Sequence, residues 1–185
     1  MSFKWWLLTA ISLFVIGLIF GLVTYNNSPA SLTEETASLT QMTDMLMALP
    51  QPALLVAIFL KNLLAVLFSI ILSPMFLLVP VLTLLLNGWL IGLISMAVIQ
   101  EQSAGFLLAG LLPHGIFELT ALFIGEAVAF NFGTAVILSL LKGQGSNLKQ
   151  NLRQNLKFLT PVIVLLLIAA IIETYITPLA LGLAI

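Results

Sequence analysis

Long apolar runs separated by short polar breaks make up most of this chain. The first covers residues 5–24, directly after Lys4. A membrane span needs about 20 apolar residues, and this run supplies them. It is longer than the roughly 7–15 residues of a signal-peptide core. Asn26-Asn27-Ser28-Pro29 also lacks the small-x-small pattern of a cleavage site, so the run reads as an uncleaved first helix. Trp5 and Trp6 are expected at the membrane–water interface, where indoles prefer to sit. Further runs cover residues 53–72 and 75–99, joined by a tight connection at Ser73-Pro74, so these two spans form a hairpin. A last run covers residues 158–176, with Pro178 just beyond.

Residues 25–52 form the one extended polar segment. Within it, residues 31–49 predict a short amphipathic surface helix, because Leu39, Met42, Met45, Leu46 and Leu49 recur at spacings of three and four. Ser31 and Glu34 have capping-box spacing at its start.

Residues 103–141 are too long for one straight span and short for two with a loop. Pro113 and Gly115 divide them. As a helix, the nine residues before the break reach only about 13 Å. The pattern predicts a broken helix at Pro113-Gly115: a re-entrant half-helix, then a full span that Gly125 and Gly133 could bend.

Charge decides the topology. Lys142, Lys149, Arg153 and Lys157 make residues 142–157 a basic connector, whereas residues 25–52 carry Glu34, Glu35 and Asp44 and no base. Short basic loops prefer the cytoplasm. With Lys4 also inside, the connector is cytoplasmic only if residues 103–141 cross a net single time. The expectation is therefore an all-α, polytopic transmembrane helix bundle of about five net spans. It forms one domain over residues 1–185 in the cell membrane, with a cytoplasmic N-terminus and an extracytoplasmic C-terminus. In the connector, Leu148, Leu152 and Leu156 form one stripe and Lys149, Arg153 and Lys157 a neighbouring one, after Ser146 as N-cap. This reads as a helix lying on the cytoplasmic leaflet with its cations at anionic headgroups, or as an ordinary positive-inside loop.

Composition narrows the chemistry. The chain is 61% hydrophobic and 7% charged, against about 25% charged in soluble domains, so no soluble domain of useful size exists beside the membrane part. The absence of cysteine excludes disulfides, thiolate nucleophiles and cysteine-ligated metal. Six basic residues form no patch for nucleic acid. No serine lies in a Gly-x-Ser-x-Gly elbow. With a single histidine, His114-x-x-x-Glu118 offers two metal ligands and no second imidazole completes a tetrahedral site. No metal, cofactor or enzymatic activity is expected on these grounds.

The residues that need explaining are the polar ones inside apolar runs: Lys61, Asn62, Asn87, His114, Glu118 and Glu126, with Glu173 less deep. Ionisable groups at such depth are costly and face protein or a water-filled cavity. His114 and Glu118 are four apart and share a helix face, and Glu126 lies two turns further along it. One reading is a proton or ion path, since an imidazole beside a carboxylate exchanges charge near neutral pH and discontinuous helices build sites in transporters. The other is polar cross-bracing, with His114 paired to Glu118, Lys61 to a facing carboxylate and Asn62 to Asn87, tying helices together with no substrate required. Gly17-x-x-x-Gly21 and Gly88-x-x-x-Gly92 allow close helix contact, within the chain or between copies.

Taken together, Pro113-His114-Gly115-Ile116-Phe117-Glu118, Asn87-Gly88 with Gly92, Glu173-Thr174-x-x-Thr177-Pro178 and Lys61-Asn62 resemble the stage II sporulation protein M family, over roughly residues 53–178. The resemblance implies a polytopic membrane protein in which His114, Gly115 and Glu118 matter. In spore formers the family's namesake anchors cell-wall hydrolases during engulfment, and most relatives have no established activity. The leading expectation is a membrane scaffold or assembly subunit, a homo-oligomer with the dimer favoured, whose partners are lipids and membrane or cell-envelope proteins. The alternative is a small channel or transporter for a proton, an ion or a small anion, with its pathway at His114 and Glu118.

Overall fold

The computed structural model describes residues 2–27, 49–75, 77–142 and 148–183. Helix α1 is Phe3–Asn27, α2 Gln51–Leu72, α3 Leu78–Glu101, α4 Ala104–Lys142, α5 Leu148–Leu156 and α6 Leu159–Ile171. A π turn, Ile172–Ile176, leads from α6 into α7, Thr177–Gly182. Five helical stretches are long and apolar enough to cross a membrane, the last running from Arg153 to Gly182. Lipid offers no partners to backbone groups, so a spanning chain must satisfy its own, and uninterrupted helices do that. The amphipathic helix expected over residues 31–49 and the N-cap Ser146 fall outside the described residues.

Proline placement explains where the helices begin. Pro52, Pro80, Pro161 and Pro178 each lie within the first three residues of a helix, where the missing N–H has no intrahelical use. Ser103 caps α4, its hydroxyl accepting the Phe106 N–H at 3.0 Å. Among the described residues Pro113 alone sits in the interior of a regular α-helix, and there the sequence expectation fails. Helix α4 runs unbroken through Pro113, His114 and Gly115, so there is no re-entrant half-helix, and residues 104–141 form a single helix long and apolar enough to cross a membrane. Loss of one backbone hydrogen bond is tolerated in a helix with neighbours along its length. The irregular backbone lies instead at the π turn, where the Thr177 N–H reaches the Ile172 carbonyl, five residues back. The next residue, Pro178, has no N–H and its ring crowds the carbonyl four residues earlier; a widened turn relieves that crowding.

Helix α4 is the axis of the bundle and touches every other described helix. On one side α1 and α3 lie parallel and almost backbone to backbone. A Cβ at Gly17 or Gly21 would overlap the carbonyl oxygens of Leu85 or Trp89, and one at Gly88 or Gly92 those of Phe14 or Leu18. The two glycine pairs are thus used against each other within one chain and give no support to a dimer. Ala10, Phe14, Leu84 and Phe130 fill the space where this pair meets α4. On the other side Val66 and Ile70 of α2, Ala121 and Val128 of α4, and Val162 and Leu166 of α6 form a second core. Gly125 and Gly133 bring α4 close to α2 and to Ser73 just beyond it: a Cβ would fall 2.5 Å from the Val66 side chain at Gly125 and 2.6 Å from the Ser73 carbonyl at Gly133.

The ends of the bundle are recognisable. Phe3 stacks on Phe158 at 4.3 Å, so the N-terminus and the basic connector share one end. The Tyr25 hydroxyl donates to Gln100 Oε1 at 3.2 Å at the opposite end. Trp5 is exposed, as an interfacial indole should be, whereas Trp6 turns inward and stacks on Phe130 at 5.5 Å. The chain has no native cysteine, so topology can be tested directly. Ser2→Cys and Lys157→Cys should react with an impermeant maleimide from the same side of sealed vesicles, and Gln102→Cys from the other. Labelling of all three from one side would overturn this arrangement.

Candidate functional site

Three ionisable side chains from two elements converge toward the end of the bundle opposite the N-terminus. His114 and Glu118 stand one turn apart on α4, and Glu173 reaches them from the π turn. Their ligand atoms all lie within 4.8 Å of one another, and all three residues are half-buried. Thr177, one turn after Glu173, is hydrogen-bonded through Oγ1 to His114 Nδ1 at 3.2 Å. Lys61 of α2 is close enough to act electrostatically on Glu173, as is Glu118. The π turn therefore sets the site's geometry: it determines how Glu173 and Thr177 are presented to α4. Beside Glu173, Thr174 is 2% exposed and its hydroxyl has no hydrogen-bond partner.

His114 and Glu118 share a face, as their spacing predicts, and Lys61 lies near a carboxylate, that of Glu173. The site has a third potential metal ligand in Glu173, whereas the sequence pattern offered only two. Among the described residues, three other expected members make no hydrogen bond to the cluster. Asn87 does not tie to Asn62: it is exposed and its Nδ2 donates to the Thr83 carbonyl of its own helix at 2.7 Å. Asn62 is half-buried on α2. Gly115 is buried, but a Cβ there would make only ordinary contact with Leu111, at 3.7 Å, so close packing does not demand glycine.

Glu126 forms a second polar centre of its own. It is 0% exposed, two turns along α4 from Glu118 and toward the N-terminal end of the bundle. That separation is about 12 Å along the axis. Ser69 of α2 donates its hydroxyl to Glu126 Oε2, while Oε1 has no partner. Buried polar atoms are nearly always paired, so a carboxylate with a free oxygen and, among the described residues, no cation acting on it is unusual.

The basic connector is held to α4 by amides. Asn155 is buried and its Oδ1 accepts from Asn131 Nδ2 at 3.2 Å, while its own Nδ2 donates to Asn151 Oδ1 at 2.7 Å. Arg153, Leu156 and Lys157 are exposed. The side chains of Leu148, Lys149 and Leu152 lie outside the described residues, so the full cationic and leucine stripes do too.

A bundle of five apolar spans with ionisable groups gathered among them defines a multispan integral membrane protein. The family model for stage II sporulation protein M matches residues 10–178, and the chain belongs to that family. It is similar to an uncharacterised protein of Methanocaldococcus jannaschii, with 30% identity over 175 residues, covering 93% of each chain. No solved structure matches it.

Proposed function

We propose that this protein passes a cation, a proton or a metal ion, across the cell membrane, using the His114–Glu118–Glu173 cluster as its binding station. The observation that carries this reading is the convergence of these three side chains from two elements inside apolar spans. Gathering ionisable groups in hydrocarbon is costly and needs a compensating role. Two carboxylates against one lysine favour a cation over a small anion. Glu126 supplies a second station on the same helix, nearer the basic end. By the preference of basic loops for the cytoplasm, that end faces the cytoplasm and the cluster lies toward the outside. The reading assigns no catalysis.

The test is flux through purified protein in sealed liposomes, read with pH-sensitive and divalent-metal-sensitive dyes inside. Wild-type protein should dissipate an imposed proton or metal gradient faster than empty liposomes. His114→Ala and Glu118→Gln should remove most of that excess while migrating as folded protein. Wild-type liposomes as tight as empty ones for every cation would favour the scaffold.

A further inference from the structure

We propose that His114, Glu118 and Glu173 form a binding site for a divalent first-row transition-metal ion. The inference deepens the reading above by naming the class of ion that the cluster takes. Its donors are one imidazole and two carboxylates, a set that suits zinc, manganese, iron(II) or cobalt and does not suit soft copper(I). They come from α4 and the π turn and are half-buried within two membrane-crossing helices, unlike a chance group of surface carboxylates. An ion about 2.1 Å from each donor needs them roughly 3.4 Å apart. They already lie within 4.8 Å of one another, and an ion would need the two glutamate side chains to rotate inward by the remaining distance. The two carboxylates also match the double charge of the ion, so the loaded site is neutral in a medium that penalises net charge.

An independent feature points the same way. A metal-bound imidazole nearly always has its other nitrogen held by an oxygen, which fixes the tautomer. Thr177 Oγ1 lies 3.2 Å from His114 Nδ1. Assigning the proton to Nδ1, donated to Thr177, leaves the Nε2 lone pair for the ion. Three protein ligands leave coordination positions open, as at sites that exchange what they hold. Lys61 is exposed and acts on Glu173. Its ammonium offsets the carboxylates when no metal is bound and turns to the interface, as long lysine side chains do, when one is.

The experiment is Co²⁺ titration of the full chain in lipid nanodiscs, followed by visible absorption, which reports the ligand field directly. Wild type should bind one Co²⁺ per chain with a saturable d–d band. Glu118→Gln and Glu173→Gln should each weaken binding by more than tenfold, and Thr177→Val by about tenfold. Lys61→Gln should tighten binding, because it removes the competing cation, and Glu101→Gln should leave it unchanged. A wild type without a saturable band, or binding that survives Glu173→Gln and Thr177→Val intact, overturns the metal site. Flux on the same preparation separates the two readings. Proton flux without bound Co²⁺ defeats the metal site alone, and bound Co²⁺ without flux of any cation defeats transport alone.

Discussion

Replacing Gly21 or Gly88 with valine should lower the melting temperature of the purified protein and its yield in membranes more than any other single change proposed for this chain. A side chain at either position would overlap a backbone carbonyl, of Trp89 or of Phe14 respectively. Backbone cannot step aside as a flexible side chain can, so α1 and α3 must separate. Between membrane helices the hydrophobic effect contributes nothing to association, and close packing is the main attraction; separation therefore forfeits most of what holds α1 in place. Overpacking of this kind costs about 3 kcal/mol, the upper end of its usual range. Gly182→Ala is the control: nothing lies within 4 Å of a Cβ there, and alanine should be neutral or slightly stabilising in a helix. Thermal unfolding followed by size-exclusion fluorescence reads both. If Gly21→Val melted with wild type, the interlocked α1–α3 contact would be wrong.

Glu126→Met should raise the melting temperature and abolish flux. A fully buried carboxylate oxygen without a partner is a standing cost of about 1–3 kcal/mol. Methionine has similar length and needs no partner. Ser69 can then donate to the Ala65 carbonyl one turn back on its own helix, as serines in helices do. Glu126→Gln keeps an acceptor for Ser69 and should leave stability near wild type, yet it cannot carry a proton. Gain of stability with loss of flux is the signature of a residue retained for function. If Glu126→Met instead unfolded the protein, or left flux untouched, Glu126 would be a structural brace and the second station would disappear.

The division between what could be read along the chain and what could not follows from range. Apolar run lengths and the placement of bases are local properties. They sufficed for five crossings, a shared end for Lys4 and the connector, and the set of polar residues worth following. Pro113 misled because helix breaking is a propensity weighed against packing: with α7 beside the first part of α4, so close that a Cβ added at Gly110 would lie 3.3 Å from the Leu181 side chain, the helix continues. Pro178 carried the signal for the real irregularity, but its effect fell on the four residues before it. Glycine pairs in α1 and α3 announced a close contact without saying which helices would share it.

The site shows the same split. That His114 and Glu118 share a face is helix arithmetic, legible along the chain together with the membrane class of the protein. That Glu173 and Thr177 join them is a matter of helix packing, since Thr177 is 63 residues from His114 in the chain. The packing also decided that Glu126 stands apart with Ser69 and that Asn87 turns away. Those outcomes depend on the rotation and depth of α2 and α6 against α4. They are set by which small residues let backbones approach, through contacts between residues that no local pattern relates.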